Sequence, residues 1–284
     1  YSFFDWLGVP DWIAQRLWIA TLMFLAGLGA RWAAKVLGVG GSQVGGAGVL
    51  IAAMCYQLSP YLLPYISRTS TMLLPWVGLG WLVGLTARAA AATGRRNWRW
   101  DALFGLVMIS ISATNATAIM MIAPAPVLWL LHAAWERTIS WRRALIVGAQ
   151  LGAVSLAVSA WWIAMLSVQG TYGADVLGYS ETLEAVSLTS SAPEVVRALG
   201  YWLFYVRDPW GFTTTASFDY MASGRLIAIS FLVLGIGLCG LVATRWSARR
   251  FAVLLVVTGV VLAVGVHPIG DASPLMSPFA DNSR

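Results

Sequence analysis

Charge is scarce in this sequence. Only 11% of the 284 residues are Asp, Glu, Lys or Arg, where soluble domains carry about a quarter. Lys35 is the single lysine among eighteen basic residues. Such a deficit excludes an ordinary soluble domain, and no nucleic-acid-binding module is recognisable in what charge there is. Cysteine is as thin: Cys55 and Cys239 both fall in apolar runs, which gives neither a disulfide framework nor a metal site. No Cys or His pair has metal-ligand spacing, so no metal is expected. The glycine-rich stretch 38–48 (GVGGSQVGGAG) lacks the Gly-Lys-Ser/Thr of a phosphate-binding loop and reads as a tight turn with close helix packing.

Long apolar runs are what remains, and mean hydropathy is +0.73. They lie at roughly 14–33, 43–58, 71–90, 101–115, 118–135, 144–167, 225–243 and 251–266. Helix-length runs without period-2 alternation predict an all-α polytopic membrane protein of about eight segments rather than a barrel. The runs between 101 and 135 are short, and predict a broken or re-entrant hairpin. The chain opens without Met and stops just past an apolar run, and reads as part of a longer polypeptide.

Basic residues sort to one side of this map. Arg88, Arg95, Arg96, Arg99, Arg142, Arg143 and Arg250 fall together, which predicts a cytoplasmic face. Most acids fall opposite. The segments RRNWRWD and WERTISWRR on the basic side read as orientation signals and anionic-lipid contacts, with a protein partner as the other reading. Opposite them runs one long connection, 168–224, acidic at first, then aromatic, then Thr-rich. It predicts a periplasmic loop carrying an interfacial amphipathic helix.

Three places there can carry chemistry. In GYWLFYVRDPWGF, Arg207 and Asp208 lie among Tyr205, Trp210 and other aromatics. Pro209 predicts that a helix ends at this pair. The pair is either an interfacial anchor or a sugar and phosphate site, with aromatic faces for the sugar, Asp208 for its hydroxyls and Arg207 for phosphate. In SPYLLPYISRTSTMLLPW, Arg68 follows Tyr65 and precedes Thr69, Ser70 and Thr71. It either binds an anionic headgroup or snorkels to water. His267 either contacts phosphate or acts as a base, or is an ordinary interfacial histidine.

The strings YQLSPYLLPYISRTSTMLLPWVGLGWLVGL, APAPVLWLLHAAW, WWIAMLSVQGTYGADVLGYSETL and LGYWLFYVRDPWG closely resemble the α-(1→3)-arabinofuranosyltransferase (AftD) family of mycobacteria and corynebacteria. The likeness runs from about residue 5 to the end. It implies a GT-C glycosyltransferase-type helix bundle in the plasma membrane, of which residues 1–284 would be part of a single domain. It also implies transfer of arabinofuranose from decaprenyl-phosphoryl-arabinofuranose to an arabinan acceptor of arabinogalactan or lipoarabinomannan, on the periplasmic face. A cytoplasmic acyl carrier protein is an implied partner, and no cofactor beyond the lipid-linked donor is implied. The family's catalytic Asp sits in its first periplasmic loop, which would lie before Tyr1, and neither Asp5 nor Asp11 is assigned its role. Arg68, Arg207, Asp208, Tyr65, Tyr205, Trp210 and His267 are the donor-site candidates. A lipid-linked sugar flippase and a non-catalytic scaffold for wall synthesis are the alternatives.

Overall fold

A computed structural model describes residues 4, 6–39, 46–62, 65, 70–92, 98–112, 116–173, 182–205, 207–209, 211–212 and 215–268. Each of the eight apolar runs contains helix. In chain order these are α1 (Asp11–Val36), α2 (Ala47–Gln57), α3 (Leu73–Ala91), α4 (Trp98–Ser112), α5 (Ala116–Ile122), α6 (Pro124–Trp135) and α7 (Trp141–Tyr172). After the polar segment come α8 (Leu183–Thr189), α9 (Ala192–Val195), β1 (Arg207–Asp208), β2 (Gly211–Phe212), α10 (Thr215–Ala222), α11 (Gly224–Ala243) and α12 (Arg249–Val264). Among the described residues, four helices are long and apolar enough to cross a membrane: Asp11–Val36, Ser70–Ala91, Trp141–Tyr172 and Gly224–Ala243.

The chain divides into two compact units. The first holds Tyr1–Ser59, Arg68–Trp162 and Trp246–Ala248; the second holds Pro60–Ser67, Ile163–Arg245 and Arg249–Arg284.

In the first unit, α3 is the central helix. It packs on α1, α4 and α6, and Leu82, Leu85, Phe104, Met108, Leu130 and Val147 bury together around it. Lipid tails are as apolar as leucine, so helices in a membrane associate through close van der Waals packing rather than water exclusion. Gly80 shows this. A Cβ there would lie 2.6 Å from the Gly29 carbonyl carbon of α1, so glycine lets the two backbones touch. Polar side chains fix the register: Trp81 Nε1 donates to Leu25 O at 3.0 Å, Trp18 Nε1 to Ser70 Oγ at 3.2 Å, and the Tyr56 hydroxyl to Trp76 O at 2.6 Å.

The helix ends in this unit have local causes. The α5–α6 break falls at Ala123–Pro124, because proline lacks the N–H that a continuing helix needs. Beyond α6 the chain turns through Arg137, whose φ is +57°. Its N–H donates to Ala134 O and that of Thr138 to Ala133 O, which satisfies carbonyls the helix end leaves open. Arg143, on the first turn of α7, donates to Ala89 O at 2.8 Å and Ala92 O at 3.0 Å. It thereby covers the carbonyl end of α3.

In the second unit, the polar segment is made of short pieces. The loop was expected to carry an amphipathic helix that stops at Pro209. Instead, a 3₁₀ turn at Trp202–Phe204 leads into a two-residue antiparallel ladder, with Arg207 opposite Phe212 and Asp208 opposite Gly211. Pro209 follows Asp208 as the second residue of the turn, where its fixed φ suits a β-turn. The α8–α9 connection is tied to the end of α12, since Ser190 Oγ donates to Val264 O at 3.1 Å. No residue of α11 is buried.

Candidate functional site

The polar groups of the second unit gather around a residue that the sequence did not single out. Arg197 is 5% exposed. Each of its guanidinium nitrogens is occupied: Nε donates to Ser230 Oγ at 2.8 Å, Nη1 to Glu194 Oε1 at 3.2 Å, and Nη2 to Tyr220 O at 2.9 Å. The Tyr220 hydroxyl donates back to Arg197 O at 2.8 Å. Tyr220 and Phe231 also face the cation, with ring centroids 5.2 and 5.7 Å away. A buried cation is tolerated when it is paired and hydrogen-bonded in this way. With each nitrogen engaged, Arg197 organises the unit rather than holding a ligand.

Tyr205 joins the predicted residues to this centre. Its hydroxyl donates to Glu194 Oε2 at 3.0 Å, so Glu194 bridges Arg197 and Tyr205. Burial, and next the Glu194 charge, push the Tyr205 phenol well above its ordinary pKa. Two residues on, Arg207 opens the hairpin and is exposed. Gly200, at φ +89°, permits the turn between α9 and this segment, and a Cβ there would lie 2.9 Å from Val195 Cγ2.

Tyr65 is buried in the same unit. Its ring stacks on Tyr201 at 5.3 Å and tilts against Tyr61 at 4.9 Å, and Tyr201 in turn tilts against Trp202 at 5.8 Å. The Tyr61 hydroxyl donates to that of Tyr65 at 3.2 Å. Burial, and then Tyr61, push the Tyr65 phenol far up. Among the described residues, two buried donors here have no hydrogen-bond partner: Trp202 Nε1 and the Ser217 hydroxyl.

His267 Nδ1 lies 2.6 Å from Ser187 O. A carbonyl only accepts, so Nδ1 carries the proton of this contact. The ring staples the end of α12 to α8. Arg68, Trp210 and the Asp208 side chain lie outside the described residues. The structure therefore brings Tyr65 and Tyr205 into one unit with Arg207 and His267, through Tyr201, Glu194 and Ser187 rather than by direct contact. Among the described residues, no three His, Cys, Asp or Glu come together as a metal site.

A predominantly helical apolar chain with an aromatic and arginine-centred polar unit narrows the families to consider. The family described as alpha-(1→3)-arabinofuranosyltransferase, N-terminal GT-C domain, matches residues 1–284. This chain belongs to that family. Its fold is accordingly that of a GT-C membrane glycosyltransferase domain. The chain is 30% identical over 277 residues to the alpha-(1→3)-arabinofuranosyltransferase of Mycobacterium tuberculosis, covering 96% of this chain. It is 28% identical over 287 residues to that of Mycolicibacterium smegmatis, covering 98%. It spans 19% of the length of each relative. No solved structure matches.

Signals for Arg197 were present in the sequence. Glu194 and Arg197 stand three apart, the spacing of neighbours on one helix face. Such a pair reads as surface charge unless one knows that Tyr205, Tyr220 and Ser230 close over it.

Proposed function

We propose that the polypeptide carrying this domain transfers arabinofuranose from decaprenyl-phosphoryl-arabinofuranose to a cell-wall arabinan, forming an α-(1→3) linkage. The match of the whole chain to the arabinofuranosyltransferase family carries this reading. In the reaction an acceptor hydroxyl attacks the anomeric carbon. The bond from that carbon to the phosphate oxygen breaks, decaprenyl phosphate leaves, and the acceptor proton passes to a base.

Arg68 and Arg207 are assigned to the donor phosphate, where positive charge offsets the negative charge that develops as the bond breaks. Tyr65, Tyr205, Trp210 and Asp208 are assigned to the sugar, and His267 to the rim of the site. The exposure of Arg207 beside an aromatic, hydrogen-bonded base supports its part in this. The domain crosses the plasma membrane several times and works on its periplasmic face, where a lipid-anchored donor makes a nucleotide-binding loop unnecessary. On the opposite face, an acyl carrier protein is the proposed partner.

The test is made with the full-length protein in lipid vesicles, given decaprenyl-phosphoryl-arabinofuranose and a short arabinan. The acceptor is expected to gain one pentose per transfer, and Arg68→Ala and Arg207→Ala to lower donor binding and turnover together. Labelled donor crossing the bilayer without pentose transfer would replace this reading with a flippase.

A further inference from the structure

The turn between α6 and α7, residues 136–140, takes no part in the proposed transfer. It carries an open cavity of about 900 Å³, lined by Ala134, Trp135, Arg137, Thr138, Ile139, Ser140 and Trp141. Arg137 is the one charged residue of its lining; Glu136, the acid of the turn, and Arg142, next to Trp141 in the chain, lie outside it. Both tryptophans are more than half exposed. They stand where two apolar helices reach a charged turn, the level at which tryptophan prefers to sit in a bilayer.

Cations here are unspent. Among the described residues, the guanidinium groups of Arg137 and Arg142 have no ion-pair or hydrogen-bond partner, and both are exposed. Arg143, by contrast, is used on the carbonyls of α3. Arg137 also holds a left-handed conformation, at φ +57°, which non-glycine residues seldom adopt. Glycine is the usual residue after a helix end, so the turn keeps an arginine where its own geometry favours glycine.

Below each tryptophan lies an apolar residue one helical turn deeper. Leu131 precedes Trp135 by four on α6, and Leu145 follows Trp141 by four on α7; both are exposed. Residues four apart share a helix face, so each wall of the cavity continues into an apolar strip.

We propose that this turn is a binding site for the headgroup of an anionic phospholipid. Arg137 holds the phosphate, Arg142, one residue past Trp141, adds exposed positive charge, Trp135 and Trp141 flank the phosphate at the interface, and the acyl chains lie along Leu131 and Leu145. Charge selects an anion, and the apolar strips select one with a lipid tail over a free phosphate. The site is independent of the transferase reading, and its failure would leave that reading untouched.

The experiment uses the full-length protein in detergent, with retained lipids counted by native mass spectrometry after adding dioleoylphosphatidylglycerol or dioleoylphosphatidylcholine. Each arginine near a membrane surface gives about a fivefold preference for anionic lipid. Wild type is expected to retain the phosphatidylglycerol selectively. R137G should lose about fivefold of that preference while its melting temperature stays level or rises, because glycine suits the backbone there. R142Q should lose a similar factor, and R137K should keep it. An unchanged preference in both R137G and R142Q overturns the proposal. So does displacement of the lipid by inorganic phosphate alone, which would mean the turn recognises a bare anion. If R137G fails to fold, R142Q and R137K still decide the outcome.

Discussion

Tyr205 shows how one hydroxyl can hold a surface feature in place. It donates to Glu194, and Glu194 receives Arg197 on its other oxygen. Tyr205→Phe keeps the ring and removes only this bond. A hydrogen bond to a charged group is worth about 1.5–3 kcal/mol, so the variant should be less stable by about that amount and melt at a lower temperature in a thermal denaturation. The phenol also links folding to alkali. Its pKa is raised in the fold, so the folded state holds this proton more tightly than the unfolded chain does. The stability it contributes is fully present below the unfolded value of about 10 and is lost as pH rises above it. Far-UV circular dichroism between pH 8 and 12 should show a later onset of unfolding in Tyr205→Phe, relative to each protein's own stability at pH 8.

Among the elements, Arg143 of α7 adds a polar tie to the end of α3, beside the apolar packing of Val147 and Leu151. Arg143 reaches two carbonyls at the end of α3 with one planar group, and a third at 3.4 Å through Nε. A lysine ammonium is a compact point charge and cannot reproduce this fork. Arg143→Lys and Arg143→Ala should therefore both destabilise the first unit, the alanine variant by about 1.5–3 kcal/mol if one charged hydrogen bond is counted. Hydrogen exchange at the last turn of α3 is the direct readout.

The elements were also the level at which the sequence was most legible. A run of apolar residues marks where a helix lies, and each run contains one. Its ends are less legible: the run 144–167 became Trp141–Tyr172, because Trp141–Arg143 and Gln169–Tyr172 continue the backbone hydrogen bonds without being apolar. Arg207 and Asp208 were marked by their chemistry but misplaced in structure, since nothing local reveals a ladder to Gly211 and Phe212. Arg197 was passed over for a related reason. Its burial depends on Tyr220 and Ser230, more than twenty residues away.

For the whole molecule, the membrane is the remaining partner. Helix α11 has no buried residue, so its apolar surface is open along its length. Val233, near the middle, is 56% exposed. An arginine at the bilayer centre costs about 2.5–3.5 kcal/mol on insertion scales. Val233→Arg should lower the fraction of α11 inserted in a translocation reporter, whereas Arg225→Lys at the helix end should not. Equal insertion of Val233→Arg and wild type would mean that α11 does not lie in the hydrocarbon.

Helix α7 has 32 residues, which at 1.5 Å per residue is about 48 Å. The hydrocarbon is about 30 Å thick, and even a tilt of about 40° would absorb only about 26 residues. At least one full turn must therefore stand clear of the lipid. A rigid rod longer than the layer it crosses is a gauge. The ends of α7, Trp141–Arg143 and Gln169–Tyr172, are its more polar parts, and a bilayer of given thickness sets how much of them stays in water.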